Sequence, residues 1–452
     1  MRRAAVLSRL WGPEPFTGEN AGMSRIGNQV RRATRLLATA WCIVGLALLG
    51  FLALNAVAER VLVGMLSSQG TMYRVGFEDQ SPEWLDAFTA ETFRAFDVFH
   101  DASPAGRWEP YAYWRTRPHF GQFVNVDERG LRRTVPLPPG GAAGEPPPER
   151  VFVFGGSSVW GVGARDAYTV PSLIAERLAR TGRTVEVTNF GQVGYVSTQE
   201  VIALYREIQQ GRVPDVVIFL NGYNDISAAL SSGGAGLSFN ERQRVAEFNL
   251  LRSGTVRLLP LAVQNCPLAK LLTIARGAST LYQVPADERG AFRLDTFADD
   301  VLRAYAANVA TVDALGERFG FDALYYWQPL VFLKEPRTAD EESYIEGRES
   351  GEPIYEALYR EFRRAAGDDR PDDESHPRLT VFRFGTRVHH LGDLFNTPEW
   401  EQRTAFYDRC HLVEAANQVV ADRIVDDLLA LTPSALARDA ETAVGAGTPP
   451  AR

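Results

Sequence analysis

The 452-residue sequence predicts an α/β protein, a central parallel sheet with crossover helices, carried behind one membrane-crossing helix near the N-terminus. Three observations lead there. An uncharged apolar run follows a cluster of arginines. Short apolar runs then alternate with amphipathic stretches between residues 151 and 220, and turns rich in Gly and Asn stand directly after those runs. A composition of 45% hydrophobic and 23% charged residues suits a folded globular chain. The net charge of -8 excludes a general nucleic-acid binder, which needs a basic face.

The N-terminal element comes first. Leu36 to Ala58 contains no charged residue and is long enough to cross a bilayer as a helix. Residues 1 to 35 carry Arg2, Arg3, Arg9, Arg25, Arg31, Arg32 and Arg35 against Glu14 and Glu19 alone. The positive-inside rule therefore leaves residues 1–35 as a cytoplasmic tail, 36–58 as a signal-anchor, and everything later outside the membrane. Ala56-Val57-Ala58 has the small residues of a cleavage site. The apolar run, however, exceeds the roughly 7–15 residues of a cleaved signal peptide.

Residues 59–148 form an extracytoplasmic leader. Within it Trp84 to Phe99 has near-helical apolar spacing, and Phe120 to Thr134 reads as strand, turn at Asp127–Gly130, and strand. The Pro/Gly run from Pro136 to Pro148 is an exposed loop. The main domain spans 149–431. Val151 to Phe154, Val185 to Phe190 and Val216 to Leu220 read as buried strands, with helices over Val170 to Thr181 and Thr198 to Gln209 between them. Ala323 to Phe332 and Leu379 to Phe384 are candidates for further strands, and Val413 to Leu431 is a final amphipathic helix. Insertions fall at about 227–320, helical in pattern (Phe239 to Leu258, Leu268 to Ser279, Asp299 to Phe319), and at 334–377, rich in charge. The tail 432–452, full of Ala, Thr, Gly and Pro, is expected to be disordered.

Candidate chemistry gathers where the strands end, the place at which open α/β sheets bind ligands. Gly155-Gly156-Ser157-Ser158 follows the first strand, Asn189 to Gly194 the second, and Asn221-Gly222-Tyr223-Asn224-Asp225 the third. Asp408-Arg409-Cys410-His411 stands just before the last helix. Each alone has a plain structural reading: a loop, a helix cap, a chance spacing. A phosphate loop is disfavoured because no Lys follows the Gly-Gly-Ser-Ser turn at the required spacing.

In order, these blocks resemble those of the SGNH (GDSL-like) hydrolase family. Gly155 to Ser158 resembles the first block, Gly194 the glycine of the second, Gly222 to Asp225 the third and Asp408 to His411 the last, the likeness covering about residues 150–226 and 322–430. Gly156 stands where the family usually has Asp. The resemblance implies a three-layer α/β/α sandwich of flavodoxin-like type, with Ser157 as nucleophile and Ser158 as the fallback should the register shift by one. His411 is then the base and Asp408 its orienting carboxylate. The oxyanion hole would comprise the N–H groups of Ser157 and Gly194 and the Asn224 amide, with Asp225 steadying that loop. Neither metal nor organic cofactor is needed.

The expected activity is hydrolysis of a small O-acyl ester, acetyl above all, on a cell-envelope or exported polysaccharide. Its partners are that acylated carbohydrate and the membrane, with no nucleic acid. The alternatives are an O-acyltransferase with the same triad, a lipase or thioesterase, and a non-catalytic carbohydrate-binding envelope factor.

Other residues stay open at this level. His389 and His390 point to opposite sides of a strand, which disfavours a shared metal; with Asp393 nearby they are candidates for substrate contact, but the favoured reading is surface. Gln328-Pro329, at a predicted strand end, are candidate cleft residues. Trp160, Tyr195 and Tyr223 stand beside the blocks, each readable as a sugar platform or as core. Of three cysteines, Cys42 lies in the anchor, and Cys266 and Cys410 are candidates for one bridge.

Overall fold

The computed structural model describes residues 19–67, 74–96, 106–136, 147–252, 266–269, 271, 293–345, 352–367, 384 and 387–431. They fall into two compact units, one from Met1–Gly64 and Pro260–Gly277, the other from Met65–Leu259 and Ala278–Arg452.

In the first unit, helix α1 (Glu19–Ser67) extends beyond the uncharged run at both ends. Asn28–Val61 has a most apolar window of mean hydropathy 2.3, none of it buried. Trp41, Leu46 and Leu49 are each more than 60% exposed. A helix window apolar around its circumference and unburied suits a bilayer rather than water, while near its end Asn55 accepts the Leu268 N–H at 3.1 Å and Ala58 is buried.

The second unit is built on five parallel strands. They are β5 (Glu149–Gly155), β6 (Val185–Asn189), β7 (Val216–Asn221), β8 (Asp322–Trp327) and β9 (Val388–His390), ordered β6-β5-β7-β8-β9. Strands covered on both faces read as unbroken apolar runs, and Val151, Val153, Phe154 and all of β7 are buried accordingly. The rings of Phe190, Phe154, Phe219 and Tyr325 stack across the sheet at centroid spacings of 4.8, 5.2 and 5.6 Å. Of the strand expected at Leu379 to Phe384, residues 379–383 lie outside the described residues. The fifth strand is the short β9.

The chain steps from β5 to β6 in one direction and from β6 past β5 to β7 in the other. Right-handed crossovers then place α4 (Val170–Arg180) and α5 (Ser197–Gln209) on opposite faces. This gives the helix–sheet–helix layering, with the switch in direction between β5 and β7. Thr169 caps α4 by accepting the Ser172 N–H at 3.3 Å, and Arg177 pairs with Asp422 and Asp426 of α11 (Glu414–Ala430).

Much of the two expected insertions belongs to the core. Between β7 and β8 the described chain forms α6 (Tyr223–Ser232), α7 (Glu241–Arg252) and α8 (Leu294–Phe319), and α8 buries Val301, Leu302, Tyr305, Val309 and Val312 at helical spacing. Helix α10 (Glu352–Ala366) lays Phe362 flat on Trp327, centroids 4.0 Å apart. Between them in the chain lies the short α9 (Ala339–Ile345).

The leader is also built in. Helix α2 (Pro82–Phe96) offers the Glu91 carboxylate to the N–H groups of Gln122, Phe123 and Val124. After β1 (Gly106–Glu109), β2 (Tyr113–Thr116), β3 (His119–Phe120) and β4 (Asn125–Val126), the expected turn closes with the Gly130 N–H on the Asp127 carbonyl at 2.9 Å. Arg132, fully buried, then pairs with Asp166 at 3.2 Å and donates to the carbonyls of Trp160, Gly161 and Ala164.

Candidate active site

Every block singled out in the sequence lies at the carboxyl end of the sheet. Ser157 opens the four-residue helix α3 (Ser157–Trp160) directly after β5, at the switch point between β5 and β7. It is 9% exposed. Its Oγ lies 2.6 Å from His411 Nε2, and His411 Nδ1 lies 2.6 Å from Asp408 Oδ2.

Asp408 and His411 form a small rigid cassette. Asp408 Oδ1 accepts the N–H groups of Cys410 at 2.8 Å and His411 at 2.7 Å, while Oδ2 holds the imidazole. Strand-like pairing of Phe406 with Leu412 closes the loop, and the Tyr407 ring lies parallel to the imidazole with centroids 5.7 Å apart. Burial disfavours the imidazolium, but the Asp408 carboxylate prevails and pushes the His411 pKa well above the ordinary histidine value. Burial would raise Asp408, yet the His411 charge and the three hydrogen bonds hold it below the usual carboxylate range.

The Asn224 amide donates to the Tyr195 carbonyl at 2.8 Å, which commits one of its two hydrogens. Gly194, φ 75°, is the third residue of the Gln192–Tyr195 turn, closed by the Tyr195 N–H on the Gln192 carbonyl at 3.1 Å. A Cβ on Gly156 would overlap Asn224 Nδ2, so the amide as placed here requires glycine at that position. Asp225 accepts the Ser197 N–H at 3.1 Å and hydroxyl at 2.6 Å, tying the third block to the start of α5. Behind it, Asn221 donates to the fully buried Glu200 at 2.6 Å. Burial, then the neighbouring Asp225 charge, drives the Glu200 pKa well above the ordinary value.

The remaining candidates sort by burial. Trp160 and Tyr195 are core, 0% and 1% exposed, and Tyr223 stacks on Tyr355 at 5.4 Å. His390 is not a surface residue: its side chain is 2% exposed and 3.1 Å from Asp393, while His389 stacks on Tyr326 at 4.9 Å. Short β9 is packed between β8 and α10, which draws His390 inward. Cys42, Cys266 and Cys410 are all free thiols. Among the described residues, the group of His, Cys, Asp and Glu side chains close enough to share a metal ion is Asp408, Cys410 and His411. Both imidazole nitrogens there are already engaged at 2.6 Å, and an ion would have to break those bonds.

Sequence reasoning missed how the leader reaches the site. Gln192, two residues before Gly194, accepts the N–H and hydroxyl of Thr116 and donates to Gly130, and Trp114 donates to the Val193 carbonyl at 2.8 Å. The hairpin thus holds the glycine turn from outside. Only Gln192, a polar residue within the Gly191–Gly194 turn, hinted at it.

No protein-family model matches the chain, and neither does any curated protein. Among solved structures it is similar to an acetyl xylan esterase, AlAXEase, at 16% identity over 62% of this chain and 99% of that one, TM-score 0.28. Another is Axe2, an acetylxylan esterase of Geobacillus stearothermophilus, at 10% over 62% and 94%, TM-score 0.28. A third is the catalytic domain of peptidoglycan O-acetyltransferase A of Streptococcus pneumoniae, at 10% over 62% and 93%, TM-score 0.26. Neither the fold nor the chemistry of the site rests on these likenesses.

Proposed function

We propose that this chain is a membrane-anchored serine esterase of the SGNH type, with Ser157 as nucleophile, His411 as base and Asp408 as its orienting carboxylate. The observation that carries the reading is the unbroken chain Ser157 Oγ, His411 Nε2, His411 Nδ1, Asp408 Oδ2, both links 2.6 Å, at the switch point of a parallel sheet.

The steps follow from the atoms in that chain. His411 Nε2 takes the Ser157 proton as Oγ attacks an ester carbonyl, and Asp408 stabilises the imidazolium that results. The oxyanion of the tetrahedral intermediate is received by the Ser157 and Gly194 N–H groups and the free hydrogen of the Asn224 amide. Collapse breaks the ester C–O bond, and the imidazolium hands its proton to the departing alcohol. Water, deprotonated by His411, then attacks the acyl-serine; the acyl C–Oγ bond breaks, the imidazolium returns its proton to Ser157 Oγ, and the acid leaves.

The substrate class we propose is a small O-acyl ester, acetyl first, on a cell-envelope or exported polysaccharide. Residues 1–35 lie on the cytoplasmic side, 36–58 in the bilayer, and the hydrolase domain, 149–431, outside with its leader. The arginines of α1 that precede its uncharged run (Arg25, Arg31, Arg32 and Arg35) and the unburied apolar window support that placement. Detergent-solubilised full-length protein should release acetate from an acetylated oligosaccharide. Acetyl groups recovered on an added acceptor sugar would make the enzyme a transferase, and no turnover of any acyl ester would contradict the reading.

A further inference from the structure

The Asp408–His411 cassette is rigid within itself, so something else must set its distance from Ser157. Its backbone reaches the rest of the site through two carbonyls. Arg409 O accepts the Val331 N–H at 3.1 Å. Cys410 O, immediately before the base, accepts the Ser158 hydroxyl at 3.3 Å and the Gln328 amide at 3.2 Å. The same Gln328 amide nitrogen lies 3.1 Å from Ser158 Oγ, closing a three-membered polar contact in the interior.

Gln328 is itself fixed from both sides. Its N–H donates to the Asn221 carbonyl at 2.9 Å and its carbonyl accepts the Tyr359 hydroxyl at 2.8 Å. Ser158 and Gln328 are 9% and 5% exposed, so water competes little for these bonds. The contact therefore joins the residue after the nucleophile, the end of β8 and the residue before the base.

From this geometry we infer that Ser158 and Gln328 are positioning residues that clamp the Cys410 carbonyl and so set the register of the His411 imidazole on the Ser157 hydroxyl. The inference rests on the reading of Ser157 and His411 as nucleophile and base. It also gives the second serine of the Gly-Gly-Ser-Ser block a task that a nucleophile in reserve would not have. A displacement of about 1 Å at reacting atoms costs on the order of 10² in rate, so a clamp one hydrogen bond away from the base has leverage.

The test is the rate at which a fluorophosphonate labels Ser157 in solubilised full-length protein, followed across pH. Ser158→Ala and Gln328→Met should each slow the plateau rate about tenfold or more. The double variant should be little slower than the slower single one, because both act on one carbonyl. The pH midpoint of labelling should stay where it is in the wild type, since the Asp408–His411 pair is intact. Ser158→Thr, which keeps the hydroxyl, should label near the wild-type rate. Wild-type rates in both single variants, a loss that tracks the unfolded fraction by near-UV circular dichroism, or a midpoint that moves with the rate would each overturn the clamp. An unlabelled wild type would instead fail the nucleophile reading itself, and the clamp with it.

Discussion

The Asn224 amide nitrogen occupies the space in which a side chain on Gly156 would begin. Gly156→Ala should therefore displace the Asn224 amide from the Tyr195 carbonyl and, in the proposed mechanism, from the oxyanion it would stabilise. Loss of one such donor costs on the order of 10²–10³ in rate. Hydrolysis of an activated acetyl ester should fall by about that factor, while the thermal midpoint moves little, a contrast that rate assays and melting curves on one preparation will check.

The His411–Asp408 pair predicts an alkaline rising limb. Protonated His411 cannot accept the Ser157 proton, and its pKa is raised by Asp408. Activity should therefore rise with pH through a midpoint above the ordinary histidine value of about 6.5. Asp408→Asn removes the carboxylate charge, so the midpoint should shift to lower pH as the plateau drops by about 10⁴. A pH–rate profile of both proteins measures the two effects separately.

Glu200 carries a pH signature of stability rather than rate. Its folded pKa is raised by burial and by Asp225, so the folded state binds its proton more tightly than the unfolded chain. That contribution is complete below the unfolded value, about 4.3, and is lost as pH rises through the folded value. Glu200→Gln keeps the acceptor for Asn221 without the ionisable proton. Its melting temperature should exceed the wild type's at pH 8 and vary less between pH 5 and 8.

Arg132 predicts that the leader cannot be separated from the α/β fold. Arg132→Ala leaves Asp166 and three carbonyls without their buried donor. Breaking a buried pair by removing one partner costs about 3–5 kcal/mol. Urea unfolding should show a loss of that size, and Asp166→Asn in the same chain should restore part of it because the two sites are coupled.

What the sequence disclosed follows from how local each signal is. The runs Val151–Phe154 and Val216–Leu220 identify buried strands because parallel strands covered on both sides tolerate few polar residues. Ser157, Asn224, Asp408 and His411 are legible because each stands at a strand end or just before the last helix. Burial of helix α8 was not legible, since a helical pattern does not say which neighbour receives its apolar face. His390 reads as surface by composition and becomes buried only because β9 is sandwiched by α10. The tasks of Gln328 and Gln192 depend on partners 170 and 76 residues away, beyond any local pattern.

The central claim is that Ser157 is the nucleophile activated by His411. Intact-mass and peptide mapping of the full-length protein after fluorophosphonate treatment tests it most directly. The account predicts one adduct, on Ser157, absent in Ser157→Ala and strongly slowed in His411→Ala. An adduct on Ser158, or none on folded wild-type protein, would contradict it.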